Sequence, residues 1–145
     1  MTKAYIIYWS GTGNTEKMAN IIADGVKLAG GEPEVLDVST VKPELLDGVK
    51  AYALGCPSMG AEQLEESSME PFVVDLLPHV SGKQIALFGS YGWGDCEWMR
   101  DWEKRLQDAG ATILGTEGVT VLGEPDSETE EKLIEIGKLI ASNLD

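Results

Sequence analysis

The chain is 145 residues long, 43% apolar and 25% charged, a composition that predicts one packed domain over residues 1–145 rather than a disordered chain. Its net charge of −14 repels phosphate backbones and anionic lipid, so neither nucleic acid nor membrane is an expected partner. No apolar run reaches the roughly 18 residues of a membrane span, and the opening "MTKAYIIYW" reads as a first strand rather than a signal peptide.

Ala4–Trp9 is the first apolar run of strand length. Six small residues follow, Ser10-Gly11-Thr12-Gly13-Asn14-Thr15, and then Met18, Ile21, Ile22, Val26 and Ala29 recur at helical spacing until Gly30-Gly31 stops them. Val35–Val38 and Val49–Leu54 are the next strands, with nearly continuous apolar runs of the kind seen where helices cover both faces of a parallel sheet. Pro71 opens a second helix that ends near Pro78, and Ile85–Phe88 is the fourth strand. Trp98, Met99, Trp102, Leu106 and Ala109 make a third helical stripe closed by Gly110. Ala111–Leu114 is the fifth strand, and Ser127-x-x-Glu130 is a capping box for a last helix carrying Leu133, Ile136, Ile140 and Leu144. The acidic run "EPDSETEE" suits that helix's N-terminus.

Five strands alternating with helices predict a single-domain, doubly wound α/β fold with a parallel sheet and helices on both faces. In such folds ligands bind outside the carboxyl ends of the strands, where strand order reverses. Three loops are therefore the candidates: Ser10–Thr15, Cys56–Glu66 and Ser90–Glu97. The first is an anion site in the making. The opening amides of a helix have no partner within it, glycines allow close approach, and the hydroxyls of Ser10, Thr12 and Thr15 and the amide of Asn14 add donors. A Walker A loop is excluded because no Gly-Lys-Ser/Thr occurs, and Gly11-x-Gly13 is followed by Glu16 where the dinucleotide fingerprint needs glycine. With only Lys17 nearby, the donors are mostly neutral, which suits a small terminal monophosphate.

Other chemistries find no support. Neither Cys56 nor Cys96 begins a C-x5-R loop, no G-x-S-x-G elbow occurs, and Cys56 stands where a receiver domain needs aspartate. His79 reads as a surface or packing residue, and no cluster has metal-ligand spacing. Two cysteines without a CxxC form no disulfide framework, so reduced thiols and a cytoplasmic location are expected.

The loops "SGTGNT", "GCPSMG" and "SYGWG", in this order and spacing, resemble those of flavodoxins, most nearly the short-chain type of anaerobic bacteria. The pattern runs almost end to end, with no long insertion in the last strand. The resemblance implies a flavodoxin-like sheet of order 2-1-3-4-5 with flavin mononucleotide (FMN) at the reversal point. It assigns the FMN phosphate to Ser10, Gly11, Thr12, Gly13, Asn14 and Thr15, with Ser90 as a further contributor. It sets the second loop, Pro57, Ser58, Met59, Gly60, Ala61 and Glu62, and the third, Tyr91, Gly92, Trp93, Gly94 and Asp95, around the ring. Met59 and Trp93 flank its two faces, a thioether and an indole against a flat aromatic. Glu62 accepts from flavin N3–H, and the Gly60–Ala61 peptide turns so that its carbonyl accepts from N5–H of the reduced ring, stabilising the neutral semiquinone.

The implied function is that of a low-potential one-electron carrier without catalytic residues, a monomer that docks transiently on basic surfaces of reductases and ferredoxin-type acceptors. Carboxylates at Glu62, Glu65, Glu66, Glu70, Asp95 and Glu97 oppose a second negative charge on the flavin and so lower the second potential. A small NAD(P)H-dependent quinone or flavin reductase is the alternative, disfavoured by the lack of an Arg/Lys cluster for a second phosphate. Pro57 stands where many flavodoxins have a hydroxyl residue, Ala61 where some have aspartate, and Cys96 where small residues are usual.

Overall fold

Two strands are apolar along nearly their whole length, and these take the interior of the sheet. In the computed structural model, which describes residues 3–144, they are β3 (Ala51–Gly55) and β4 (Gln84–Tyr91), buried on both faces. β1 (Lys3–Tyr8) pairs with β3 on one side and with β2 (Glu32–Asp37) on the other. The outer side of β4 carries both β5 (Thr112–Ile113) and β6 (Val119–Leu122). Every pairing between these strands is parallel, as the alternating pattern predicts, and their order is β2-β1-β3-β4-β5, as the resemblance implies. Strand order therefore reverses beside β1.

The fifth position differs from expectation. Two short strands in tandem replace one, because the chain leaves the sheet between them with left-handed Gly115 (φ 78°) and Thr116 (φ 74°). The break is held by helix α3 (Glu97–Asp108): buried Glu103 accepts from the Gly118 amide, and a side chain on Gly118 would meet the Met99 sulfur.

Helix α1 (Asn14–Leu28) and helix α4 (Ser127–Ser142) cover one face, burying Met18, Ile22, Val26, Leu133 and Ile140 against Ile6, Ala53 and Phe88. Helix α2 (Met69–Leu76) and α3 cover the other, with Phe72, Val73, Trp98 and Trp102 against Ile7, Tyr52 and Leu54. Gly30 (φ 85°) and Gly110 (φ 100°) follow α1 and α3 as expected of C-terminal caps. Two boundaries move. Helix α2 starts two residues before Pro71, and α4 is capped by Asp126, whose carboxylate accepts from the Thr129 amide at 2.8 Å, rather than by Ser127.

Helices α1 and α4 touch backbone to backbone. A Cβ on Gly25 would lie 2.2 Å from the Ile134 carbonyl oxygen, and one on Gly137 would lie 2.1 Å from that of Ile22. Among the described residues no helix is long and apolar enough to cross a membrane.

Candidate functional site

The carboxyl ends of β1, β3 and β4 are neighbours in the sheet, so the three loops expected to matter emerge side by side. Hydrogen bonds tie them together. The hydroxyls of Thr15 and Ser90 lie 3.2 Å apart, the Ser58 amide donates to the Ser90 carbonyl at 3.0 Å, and the Glu97 amide donates to Glu62 Oε1 at 3.0 Å.

The first loop is a short turn that enters α1 through left-handed Gly13 (φ 98°), a conformation glycine adopts without penalty. Its own side chains satisfy two amides: Gly13 N–H donates to Ser10 Oγ at 3.0 Å, and Asn14 N–H reaches Thr12 Oγ1 at 3.5 Å. Among the described residues nothing accepts from the amides of Gly11, Thr12, Thr15 or Glu16. Four free donors at a helix N-terminus favour an anion. Lys17 does not add its charge directly, because its ammonium pairs with Glu124 Oε1 at 2.9 Å. The Trp9 ring packs under the loop, where a side chain on Gly11 would meet it at 3.1 Å.

The second loop is a closed three-residue turn. Met59 and Gln63 exchange both backbone hydrogen bonds at 2.9 Å, leaving Gly60 (φ 52°), Ala61 and Glu62 (φ 53°) at its tip. Its base is pinned on the inside. Buried Trp98 donates its indole N–H to the Cys56 carbonyl at 3.0 Å, and the Glu65 carboxylate, only 6% exposed, accepts from the amides of Ser67, Ser68 and Met69. Burial alone would raise the Glu65 carboxyl, but the three amides outweigh it and hold it below its ordinary value. Burial pushes the Cys56 thiol up to about 12, so it stays protonated and inert.

Glu62 lies between the second and third loops. Its carboxylate packs over Gly94, where a Cβ would come within 2.6 Å of it, and Oε1 takes the first amide of α3 while Oε2 has no partner among the described residues. One oxygen is thus free for a ligand donor.

In the third loop, Trp93 is 63% exposed beyond Gly92, while Tyr91 turns inward, its ring centre 5.9 Å from that of Trp98. Asp95 is exposed, and Cys96 is left-handed (φ 66°) at the N-cap of α3. That conformation is costly for any residue with a Cβ. Cys96→Gly is therefore expected to stabilise the protein by about 1 kcal/mol, read as a higher urea midpoint with unchanged slope. An unchanged or lower midpoint would show that the thiol's contacts outweigh the backbone strain.

The residues assigned from the sequence lie in or beside these three loops, with Asn14 and Thr15 in the first turn of α1 and Ser90 and Tyr91 at the end of β4. Ser90 is buried and its hydroxyl faces Thr15, and Pro57 supplies no donor. The Ser58 hydroxyl has no partner among the described residues. Of the six carboxylates grouped near these loops, Glu65 is turned inward on α2, and Glu70 is held by both arms of Arg105 at 2.8 Å. Among the described residues Glu62, Glu66, Asp95 and Glu97 make no ion pair and remain as the uncompensated charge. Gln63, which closes the turn, and Trp98, which pins its base, are structural members that the sequence reading did not place in the site.

A flavodoxin family model matches residues 6–137. A flavodoxin of Clostridium beijerinckii is 49% identical over 137 residues, which span 94% of this chain and 98% of that protein. A flavodoxin of Megasphaera elsdenii is 47% identical over 136 residues, 94% of this chain and 96% of that one. The solution structure of the two-electron reduced Megasphaera elsdenii flavodoxin superposes with a TM-score of 0.88 over 96% of this chain and 98% of its own, at 44% identity.

Proposed function

The chain belongs to the flavodoxin family, whose members bind FMN, and from that premise we propose that it carries single electrons between redox enzymes at low potential. The observation that carries the reading is the Ser10–Glu16 junction, which has three hydroxyls and, among the described residues, four unpartnered amides and no free cation, a donor set matched to a phosphomonoester. Bound FMN supplies the redox chemistry.

The protein's part is to hold the ring and to bias its two one-electron steps. Exposed Trp93 and half-buried Met59 offer it an indole and a thioether, and Glu62 Oε2 is free to accept from N3–H. The closed turn leaves the Gly60–Ala61 peptide free to rotate, because the hydrogen bonds that close it belong to Met59 and Gln63. A Gly60 carbonyl turned to the ring can accept from N5–H, a donor present only after reduction. One such bond is worth about 0.5–1.5 kcal/mol, or a few tens of millivolts in a one-electron couple.

Four uncompensated carboxylates around the loops oppose a second negative charge on the ring and separate the two steps. The same charge suits brief docking on basic surfaces of reductases and ferredoxin-type acceptors, as a monomer in the cytoplasm with both thiols free.

Anaerobic stepwise reduction of the FMN-loaded protein, followed by visible absorbance, tests the reading. A long-wavelength band of the half-reduced, neutral flavin should rise and then fall. Passage from yellow to colourless without it would overturn the one-electron role. Bleaching by NAD(P)H alone would replace that role with a reductase.

A further inference from the structure

Ser90 and Thr15 are 5% and 1% exposed, come from strand β4 and helix α1, and meet hydroxyl to hydroxyl at 3.2 Å. Among the described residues neither hydroxyl has another partner. The pair therefore holds two donor protons and makes one hydrogen bond, so one buried proton has no acceptor in the protein. Buried donors are rarely left in that condition, because the lost solvation is not recovered. The acceptor has to come from outside the fold, and Thr15 stands in the first turn of α1, next to the free amides of Gly11, Thr12 and Glu16.

We propose that Ser90 is a positioning residue for the phosphate site, acting through Thr15 rather than on the anion. The inference rests on the reading of Ser10–Thr15 as the FMN phosphate site. When Thr15 gives its proton to a phosphate oxygen, its own oxygen must accept, and Ser90 is the donor within reach. The chain then runs one way, Ser90 O–H to Thr15 Oγ1 and Thr15 O–H to the anion. Two consequences follow physically. Threonine in a helix divides between two χ1 rotamers, and the Ser90 donor holds the one that faces the anion. A hydroxyl that accepts while donating is also polarised into a stronger donor. The carbonyl of the same serine takes the Ser58 amide, so one residue registers the phosphate loop against the second loop.

The test is a set of dissociation constants for FMN and riboflavin, measured by flavin fluorescence quenching on the native chain, Ser90→Ala, Ser90→Cys, Thr15→Val and the Ser90→Ala/Thr15→Val double variant. Ser90→Ala should weaken FMN binding about fivefold and leave riboflavin unchanged, with Ser90→Cys between it and the native chain. In the Thr15→Val background, Ser90→Ala should have no further effect on FMN. Equal loss for both flavins would overturn the proposal by showing general damage to the loops. An undiminished effect in the Thr15→Val background would overturn it by showing that Ser90 acts without Thr15. A native chain that binds FMN no more tightly than riboflavin would instead remove the phosphate reading itself, a result separable from the other two.

Discussion

Replacing Gly137 by alanine is expected to cost about 3 kcal/mol or more of folding stability. The new Cβ would stand 2.1 Å from the Ile22 carbonyl oxygen and 2.7 Å from the Val26 nitrogen, both backbone atoms in the middle of α1. A flexible side chain could swing aside, but a hydrogen-bonded helix cannot, so α1 and α4 must separate along their length. Gly25→Ala approaches the same contact from the other side, 2.2 Å from the Ile134 carbonyl oxygen, and should cost a similar amount. Gly92→Ala is the control. Its Cβ meets nothing within 4 Å and its φ is not positive, so a change within about 0.5 kcal/mol is expected. Urea unfolding reads all three as midpoint shifts at constant slope. A near-neutral Gly137→Ala would mean that the two helices tolerate separation and that their close approach is incidental.

Glu65→Ala should cost about 2–3 kcal/mol, because three amides at the start of α2 lose a buried acceptor at once. The pH dependence carries more information. The Glu65 carboxyl lies below its ordinary value in the folded protein, so the unfolded chain binds its proton first as the solution is acidified. Its contribution is therefore complete above the unfolded carboxyl's pKa and is lost as pH falls through the folded one. Glu65→Gln keeps the shape without the charge. Its deficit against the native chain should be largest near neutrality and shrink steadily below about pH 4. A deficit independent of pH would show that the carboxylate's charge is irrelevant and only its shape matters.

Much of the architecture is legible in the chain because burial on both faces leaves a direct mark. Tyr52, Ala53 and Leu54 in β3 and Ile85–Phe88 in β4 are apolar at consecutive positions for that reason. The stripe from Met18 to Val26 declares α1 in the same way. Strand β6 leaves no such mark, since Val119–Leu122 is four residues long, lies between two glycines and exposes Leu122. The start of α4 offers two overlapping caps, Asp126-x-x-Thr129 and Ser127-x-x-Glu130, and only backbone geometry chooses the first. The loops were legible as a set because their small residues and glycines are unusual together. Their internal wiring was not, for it depends on contacts between distant positions. Ser90 reads as a further contributor to the phosphate site, and only the fold shows that its hydroxyl meets that of Thr15, 75 positions away. Glu65 and Glu70 read as charge set against the flavin, and only the fold shows that the amides before α2 and Arg105 hold them.

The backbone contact between α1 and α4 also bears on when the protein becomes competent during its synthesis. Helix α1 is made before helix α4, so the backbone contact at Gly25 and Gly137 can form only once both helices exist. Until α4 follows, the Met18–Val26 stripe has the sheet but not the helix packed beside it. The frame around the Ser10–Thr15 loop is therefore complete only after α4 has been made, and a nascent chain stalled before Ser127 would hold that loop in sequence without its frame.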